Sequence, residues 1–145
     1  MGTRGDYGVG RFSVDIEVVN SADRILAQTG HLPADQVRWA TIPGLVDSGA
    51  TKLVSPETVV TRLGLPLGDP IRVRYADGRR ARRKGVERVY VQLLGRHGTF
   101  TAICEPKRET ALIGAIVLED LDLLVDCAAQ QVVPRDPTGA TYEIE

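Results

Sequence analysis

The chain has 145 residues, of which 43% are apolar and 26% are charged, and its formal net charge is −1. This length and composition predict one globular domain over residues 1–145 with a proper hydrophobic core. A net charge near zero excludes a general attraction to nucleic acid or anionic membrane, and no apolar run is long enough for a transmembrane helix.

The first residues, Met1–Asp6, lack the apolar core of a signal peptide, which favours a cytoplasmic location. Cys104 and Cys127 are expected to be two buried free thiols, because no secretion signal accompanies them. The glycine-rich stretch Gly2–Gly10 is interpreted as a frayed end or a loosely held edge strand.

The first half of the chain predicts strands joined by irregular segments. Polar and apolar residues alternate over Arg11–Val19, which is typical of a half-buried strand. Asn20–Ala34 carries Ser, Asp, Gly, His and Pro between short apolar pieces and is interpreted as a long connection. Val37–Ile42 is predicted to be a second strand, and Pro43–Gly44 a turn into the strand end Leu45–Asp47.

A helix is predicted after this point. Ser55 would be its N-cap, Pro56 its first residue and Glu57 an acid in its first turn, and Gly64 would end it. The rest of the chain is predicted as strands at Ile71–Tyr75, Val86–Leu94, Thr99–Cys104 and Ala111–Gly114, a helix at Ile116–Leu121, and a terminal hairpin of Leu123–Asp126 with Gln131–Val133. Many short strands with two short helices predict a mostly-β barrel or sandwich.

Turn signals separate these later strands. Asp77–Gly78 predicts a hairpin, and Gly95–Gly98 predicts the next turn. Beside the hairpin, Arg79–Lys84 packs five positive charges into six positions. This run is either a patch for nucleic acid or an acidic substrate, or a solvated rim; the rim is favoured, since no aromatic residues alternate with the arginines.

Several site chemistries find no support in the sequence. His31 and His97 lie far apart, and neither is at metal-ligand spacing from a cysteine or another histidine. There is no Gly-x-Ser-x-Gly elbow and no phosphate-binding glycine loop. We therefore expect no metal and no cofactor.

The segment Leu45–Thr51 carries the strongest site signal. Two apolar residues precede Asp47, and a tight Ser-Gly turn follows it. Burying part of a carboxylate is costly unless its charge has partners or a use. Gly49 lets the backbone approach that carboxylate closely, and Ser48 supplies a hydroxyl. The alternative is that the aspartate only caps its own turn.

Three segments, taken in order, resemble the single-domain retroviral-type (retropepsin-like) aspartic proteases, and most closely their small soluble prokaryotic members. Leu45–Ala50 matches the signature apolar-apolar-Asp-(Thr/Ser)-Gly-Ala, and Leu112–Gly114 matches the later apolar-apolar-Gly element. The hairpin Tyr75–Arg80 lies between them, where the family has its flap. The tract Gly114–Leu123 also resembles the segment before the family's final hairpin. The resemblance spans roughly residues 11–137, so residues 1–10 and 138–145 are expected to be flexible or to form a dimer interface.

The resemblance implies a retropepsin-like closed β-barrel with a flap hairpin and one or two short helices. It implies an aspartic endopeptidase in which two copies of Asp47, one from each chain of a homodimer, activate a water molecule. The implied site residues are the turn Ser48, Gly49 and Ala50, the flap Tyr75, Ala76, Asp77 and Gly78, and the supporting strand Leu112, Ile113 and Gly114. The implied partners are a second copy and a peptide or protein substrate, with no nucleic acid and no membrane.

Some residues depart from the family pattern or leave alternatives open. Ala50 offers no hydroxyl to the carboxylates, so activity is expected nearer to neutral pH than in the pepsin-like relatives. The flap has one glycine with Arg79 and Arg80, which implies either stiffer closure or a preference for acidic substrates. Thr141–Ile144 is either a strand that pairs between subunits or a disordered tail.

Two other functions remain open from the sequence. The chain could be a catalytically silent barrel that binds peptides or only dimerises, since a fold does not guarantee activity. It could also be a nucleic-acid-binding barrel that uses the arginine run, for which steep salt dependence would be diagnostic.

Overall fold

The computed structural model describes residues 3–4 and 11–145. The strands in this part of the chain are β1 (Thr3–Arg4), β2 (Arg11–Asn20), β3 (Trp39–Asp47), β4 (Leu53–Pro56), β5 (Leu67–Arg74), β6 (Arg80–Leu93), β7 (Arg96–Glu105), β8 (Ala111–Ile113), β9 (Leu123–Asp126) and β10 (Gln131–Pro134). The helices are α1 (Ser21–Gln28), α2 (Glu57–Leu63) and α3 (Ala115–Asp120), with one 3₁₀ turn at Ala34–Gln36.

Six of these strands close into a barrel. Hydrogen bonds link them in the order β2, β3, β8, β4, β7 and β6, and a further pairing of β6 with β2 completes the circle. β1 pairs with β2 outside the barrel, β5 pairs with β6, and β9 and β10 form a separate hairpin. The prediction of a mostly-β closed barrel is confirmed, although three short α-helices are present where one or two were expected.

The barrel interior is filled by alternate residues of its strands. On β2 these are Phe12, Val14, Ile16 and Val18, each at most 2% exposed. Buried faces of the helices α2 and α3 extend this core, through Val59, Val60, Leu63, Val117 and Leu118. The period-two pattern that predicted the first strand is therefore the pattern of burial in the barrel.

Several predicted boundaries are confirmed. The strand predicted from Arg11 extends by one residue to Asn20, and Gly64 ends α2 with φ +60°, a value that favours glycine. The turn predicted at Asp77–Gly78 joins β5 to β6. The turn predicted over Gly95–Gly98 is shorter than expected, because β7 already begins at Arg96.

The prediction of a long connection over Asn20–Ala34 was wrong, because α1 occupies its first half. The Asn20 side chain caps this helix by accepting a hydrogen bond from the backbone N–H of Asp23 at 3.0 Å. The Asn20 amide also donates to the Leu63 carbonyl at 2.8 Å, which ties α1 to the end of α2. Asp23 in turn pairs with Arg38 at 2.8 Å, so its carboxylate bridges the loop between α1 and β3.

The turn predicted at Pro43–Gly44 was also wrong, since β3 runs without interruption from Trp39 to Asp47. Pro43 lies opposite Asp15 of β2, and β8 begins to pair with β3 only at Gly44. One flank of β3 therefore has no strand neighbour at the proline, where a missing N–H is tolerated. A Cβ on Gly44 would lie 2.7 Å from the Ile113 side chain, so this glycine serves close packing rather than a turn.

Two smaller predictions, the N-cap of α2 and the burial of Cys127, are corrected. Ser55 lies in β4 and its hydroxyl donates to the Pro56 carbonyl, so the N-cap residue of α2 is Pro56, without a side-chain cap bond. Cys104 is buried as predicted, but Cys127 is exposed in the turn between β9 and β10. Burial raises the pKa of the Cys104 thiol.

The two chain ends differ from simple strands. Thr3–Arg4 pairs with Ser13 and Val14, and the rest of Gly2–Gly10 lies outside the described residues. Residues 141–144 form no strand; instead the Thr141 N–H donates to Asp122 at 2.9 Å. No helix within residues 3–4 and 11–145 is long and apolar enough to cross a membrane.

Candidate active site

Asp47 is the last residue of β3, and the barrel fixes its position. The preceding residue, Val46, is fully buried and lies opposite Phe12 of β2 and Ile113 of β8. Asp47 itself is half-buried, and the next two residues are exposed. A buried strand therefore carries one carboxylate to the surface at the point where the chain turns.

The turn after Asp47 folds back onto the carboxylate. The Gly49 N–H donates to Asp47 Oδ1 at 2.9 Å, and the Ala50 N–H donates to the Asp47 carbonyl at 3.1 Å. Asp47 Oδ2 and the Ser48 hydroxyl make no hydrogen bond within the described part of the chain. One oxygen of the carboxylate is thus held, while no described residue occupies the other oxygen or the neighbouring hydroxyl.

The strand β8 and the start of α3 support this turn from behind. The Ala115 N–H donates to the Ala50 carbonyl at 2.8 Å, and the Ile116 N–H donates to the Thr51 carbonyl at 3.0 Å. A Cβ on Gly114 would lie only 2.5 Å from the Lys52 carbonyl oxygen, so a side chain at this position would displace the loop. The sequence-predicted pair of elements, the Asp47 turn and the Leu-Ile-Gly strand, is in direct contact.

The hairpin formed by β5 and β6 lies across from this turn, and a cleft of about 510 Å³ separates them. Gly49 and Ala50 line the cleft on one side, and Ile71–Tyr75 line it on the other. Leu112 also lines it, since it pairs with Leu45 on one flank and Val54 on the other. Asp47 adjoins the cleft through Gly49 but is not part of its lining.

Tyr75 anchors the turn end of the hairpin to the barrel. Its hydroxyl donates to Glu105 at 2.6 Å, and Arg83 Nε donates to both the Tyr75 oxygen at 3.0 Å and Glu105 at 2.9 Å. Burial and the adjacent Glu105 carboxylate raise the pKa of the Tyr75 phenol. The pKa of Arg83 is also raised, first by its hydrogen bond to Tyr75.

The other predicted flap residues form the turn beyond the cleft. Ala76, Asp77 and Gly78 are exposed and do not line it. Asp77 binds Arg79 at 2.8 Å, and this pairing lowers the pKa of the Asp77 carboxyl. The Arg79 guanidinium also stacks 4.7 Å from the Tyr75 ring centre. Arg79 is therefore engaged by its own hairpin, which weakens the idea that it selects acidic substrates.

Sequence reasoning missed Glu105, Arg83 and Arg108, of which Glu105 and Arg108 line the cleft. Arg108 donates to the Thr110 carbonyl at 2.8 Å and so shapes the loop before β8. The sequence offered only a partial signal for Glu105, a position across from the basic strand β6, and that signal did not identify Arg83 or Tyr75 as its partners.

The chemistry of the site is that of a carboxylate held by a backbone N–H. In the described part of the chain, no group of three or more His, Cys, Asp or Glu side chains could hold a metal ion. A half-buried carboxylate beside an extended cleft can act as a general base or acid toward a bound peptide or water.

Comparison with protein-family models gave no match for this chain, and comparison with curated proteins also gave none.

Proposed function

We propose that the chain is an aspartic endopeptidase whose active form is a homodimer, with Asp47 of each copy as a catalytic residue. The observation that carries the proposal is the hydrogen bonding of this carboxylate and its position beside the cleft. One oxygen accepts the Gly49 N–H, the other has no hydrogen bond within the described residues, and the turn borders a cleft of about 510 Å³. The resemblance of Leu45–Ala50 and Leu112–Gly114 to the retroviral-type proteases supports the same conclusion.

The dimer follows from the need for two carboxylates. Asp-Ser-Gly occurs once in the sequence. Asp77, which is directly followed by glycine, is bound by Arg79 in the hairpin turn, and Asp126 accepts the Ala129 N–H. A second Asp47 related by a two-fold axis supplies the missing group, since symmetric dimers bring the same residue to the axis from both chains.

The proposed reaction uses the two carboxyl groups as one base and one acid. Like charges about 3 Å apart cannot both ionise, so the pair shares one proton. The ionised Asp47 accepts a proton from water, whose oxygen bonds to the peptide carbonyl carbon, while the protonated Asp47 gives its proton to the carbonyl oxygen. The resulting diol collapses: its hydroxyl proton returns to one carboxylate, the other carboxyl protonates the nitrogen, and the C–N bond breaks.

The residues around Asp47 have defined roles in this proposal. The exposed Ser48 hydroxyl is free to hydrogen-bond across the two-fold axis, and the Gly49 N–H holds one carboxylate oxygen. Ala50 has no hydroxyl to stabilise the ionised pair, so we expect activity nearer to neutral pH than in pepsin-like enzymes. The apolar cleft-lining residues Val54, Ile71, Val73, Ile103 and Leu112 suit an extended peptide with apolar side chains near the cleaved bond.

The proposal is tested by Asp47→Asn on an unbiased peptide library, with products identified by mass spectrometry across pH. We expect wild type to cleave peptides and Asp47→Asn to lose at least about a hundredfold, as expected for removal of an acid–base group. Asp35→Asn is the matched control, because Asp35 is exposed and makes no hydrogen bond or ion pair within the described residues. It should cleave like wild type.

The same experiment distinguishes a protease from a catalytically silent barrel. A wild-type chain that binds library peptides but cleaves none at any pH would support the silent peptide-binding module. Full activity of Asp47→Asn would contradict the proposal directly.

A further inference from the structure

The β5–β6 hairpin presents four exposed arginines, two of which, Arg72 and Arg74, also line the cleft. We call Arg72, Arg74, Arg80 and Arg82 the arginine array. The strand register sets Arg72 directly opposite Arg82 and Arg74 directly opposite Arg80. The alternate residues, among them Val73 and Ala81, are half-buried, whereas all four arginines are exposed.

The array has no internal counter-ion. Its four side chains make no hydrogen bond or ion pair within the described part of the chain. Other basic residues of the hairpin are engaged: Arg79 with Asp77, Arg83 with Glu105, and Lys84 with Glu57 at 3.6 Å. The array therefore differs from an ordinary solvated rim, in which charges of both signs are interspersed.

The arrangement works against the hairpin's own stability. Like charges that face each other across antiparallel strands are destabilising, and the array has two such pairs. An open hollow of about 600 Å³ is lined by the four residues of the array with Val73 and Ala81. Because the whole chain has a net charge of −1, this excess of positive charge is local. An anionic ligand in the hollow would relieve the repulsion.

The neighbouring edge of the sheet defines the shape of that ligand. β5 is the last strand of the sheet, and within the described residues its only strand partner is β6. Arginines two residues apart on one strand are about 6.7 Å apart, which is also the spacing of alternate side chains in an extended peptide. A peptide that adds to the free edge of β5 would bring every second side chain to the face of the array.

We infer that the arginine array binds an extended acidic segment of a protein, with Asp or Glu at alternate positions. The carboxylates accept hydrogen bonds from the guanidiniums, which can be bidentate. The backbone of the segment pairs with β5. This site adjoins the cleft through Arg72 and Arg74 but does not require Asp47, so it can exist whether or not the chain is a protease.

An acidic peptide fits these features better than nucleic acid does. The array carries no aromatic residue on which bases could stack. The net charge of the chain gives no long-range attraction to a polyanion. A free strand edge pairs with a peptide backbone, which a nucleic acid lacks.

The test measures binding by fluorescence anisotropy with three probes. They are a labelled peptide of alternating Glu and Thr, a peptide of the same composition with all Glu in one block, and oligothymidylate. The proteins are full-length wild type, Asp47→Asn, the array variant Arg72→Gln/Arg82→Gln, and the control Arg62→Gln/Arg88→Gln. The two double variants lose the same charge, and Arg62 and Arg88 are exposed residues outside the array. Asp47→Asn prevents cleavage of the probe from being mistaken for absent binding.

We expect the alternating peptide to bind wild type and Asp47→Asn equally, and the array variant roughly tenfold more weakly, as expected for lost charged hydrogen bonds. The control should bind like wild type. Thermal unfolding should show the array variant to be at least as stable as wild type, since it removes a repulsive pair. Equal weakening by both double variants, or unchanged binding by the array variant, would overturn the proposal. Equal binding of the block peptide would overturn the strand pairing, and tighter binding of oligothymidylate would identify a nucleic-acid surface instead.

Discussion

Gly114 shows how one residue outside the turn fixes the position of Asp47. Its lack of a side chain lets the backbone at the start of α3 approach the loop carbonyls of Ala50 and Lys52. The sequence identified Gly114 through its Leu-Ile-Gly context, and the structure gives the physical reason for a glycine there. Its φ of −89° is open to any residue, so the requirement is one of space.

We predict that Gly114→Ala destabilises the fold by roughly 1–3 kcal/mol, because overpacking forces the loop to move. Urea unfolding measures the loss, and any peptidase activity should fall with it. Gly95→Ala is the control: apart from its chain neighbours, no described residue has an atom within 4 Å of the added Cβ, and only its φ of +78° is strained. It should cost about 1–2 kcal/mol and leave activity intact. A Gly114→Ala protein as stable and active as wild type would contradict this account of the loop.

The site residues differ in how far the sequence alone could reveal them. Asp47, Gly49, Ala50, Tyr75 and Leu112 could be named from local patterns, because each belongs to a short contiguous motif. Glu105 could not, since its partner Tyr75 lies 30 residues away in the chain.

At the scale of elements, a bulge in β6 explains why the Glu105 network could not be predicted. The pairing of β6 with β7 shifts by one residue between Val86 and Val89, where Arg88 has φ +53°. Counting back from the turn at Gly95 would place Lys84 opposite Glu105. The bulge places Arg83 opposite Glu105 instead, and nothing in the sequence pattern predicts the extra residue.

The helix α1 was missed for a related reason. It has only eight residues, which is too short for a clear helical period, and its start depends on Asn20. Asn20 was interpreted as the beginning of a loop, although its side chain both caps α1 and binds the end of α2. Strand alternation over ten residues is a stronger signal than one capped helical turn, so the barrel was predictable and this helix was not.

The Tyr75 network gives a prediction about the hairpin. Tyr75→Phe removes the hydroxyl that joins the hairpin to Glu105 and Arg83, which should destabilise the protein by about 1 kcal/mol. Hydrogen exchange should be faster at the hairpin amides than elsewhere. Tyr90→Phe is the control, since the Tyr90 hydroxyl makes no hydrogen bond within the described residues. Unchanged exchange at the hairpin in Tyr75→Phe would show that the network does not hold it.

A second prediction concerns Asp122, which joins α3 to the C-terminal segment. The Thr141 N–H, and then Arg135 at 2.6 Å, lower the pKa of the Asp122 carboxyl. A lowered folded-state pKa means that the stabilisation is present above the unfolded value of about 4 and is lost as pH falls through the folded value. Asn tolerates the φ of +57° at this position, so Asp122→Asn changes mainly the charge.

Urea unfolding of Asp122→Asn should therefore show a loss of stability relative to wild type at pH 7 that shrinks at pH 3. Asp35→Asn should match wild type at both values. If the difference between Asp122→Asn and wild type is the same at both pH values, the carboxylate does not supply the stabilisation.

Taken together, the barrel strands place the Asp47 turn and the β5–β6 hairpin on two sides of one cleft, with Gly114 supporting the turn from behind. The described residues offer a single Asp-Ser-Gly turn at this cleft, with a carboxylate oxygen and the Ser48 hydroxyl open to a partner. The proposed function therefore depends on two chains, each contributing one carboxyl group.

Subunit mixing tests this dependence most directly. Wild type and Asp47→Asn are combined at a constant total concentration, allowed to exchange subunits, and assayed on a peptide that wild type cleaves. If catalysis needs Asp47 from both chains, mixed dimers are inactive, and an equal mixture keeps about one quarter of the wild-type activity. A mixture that keeps about one half, as independent one-chain catalysts would, contradicts the account.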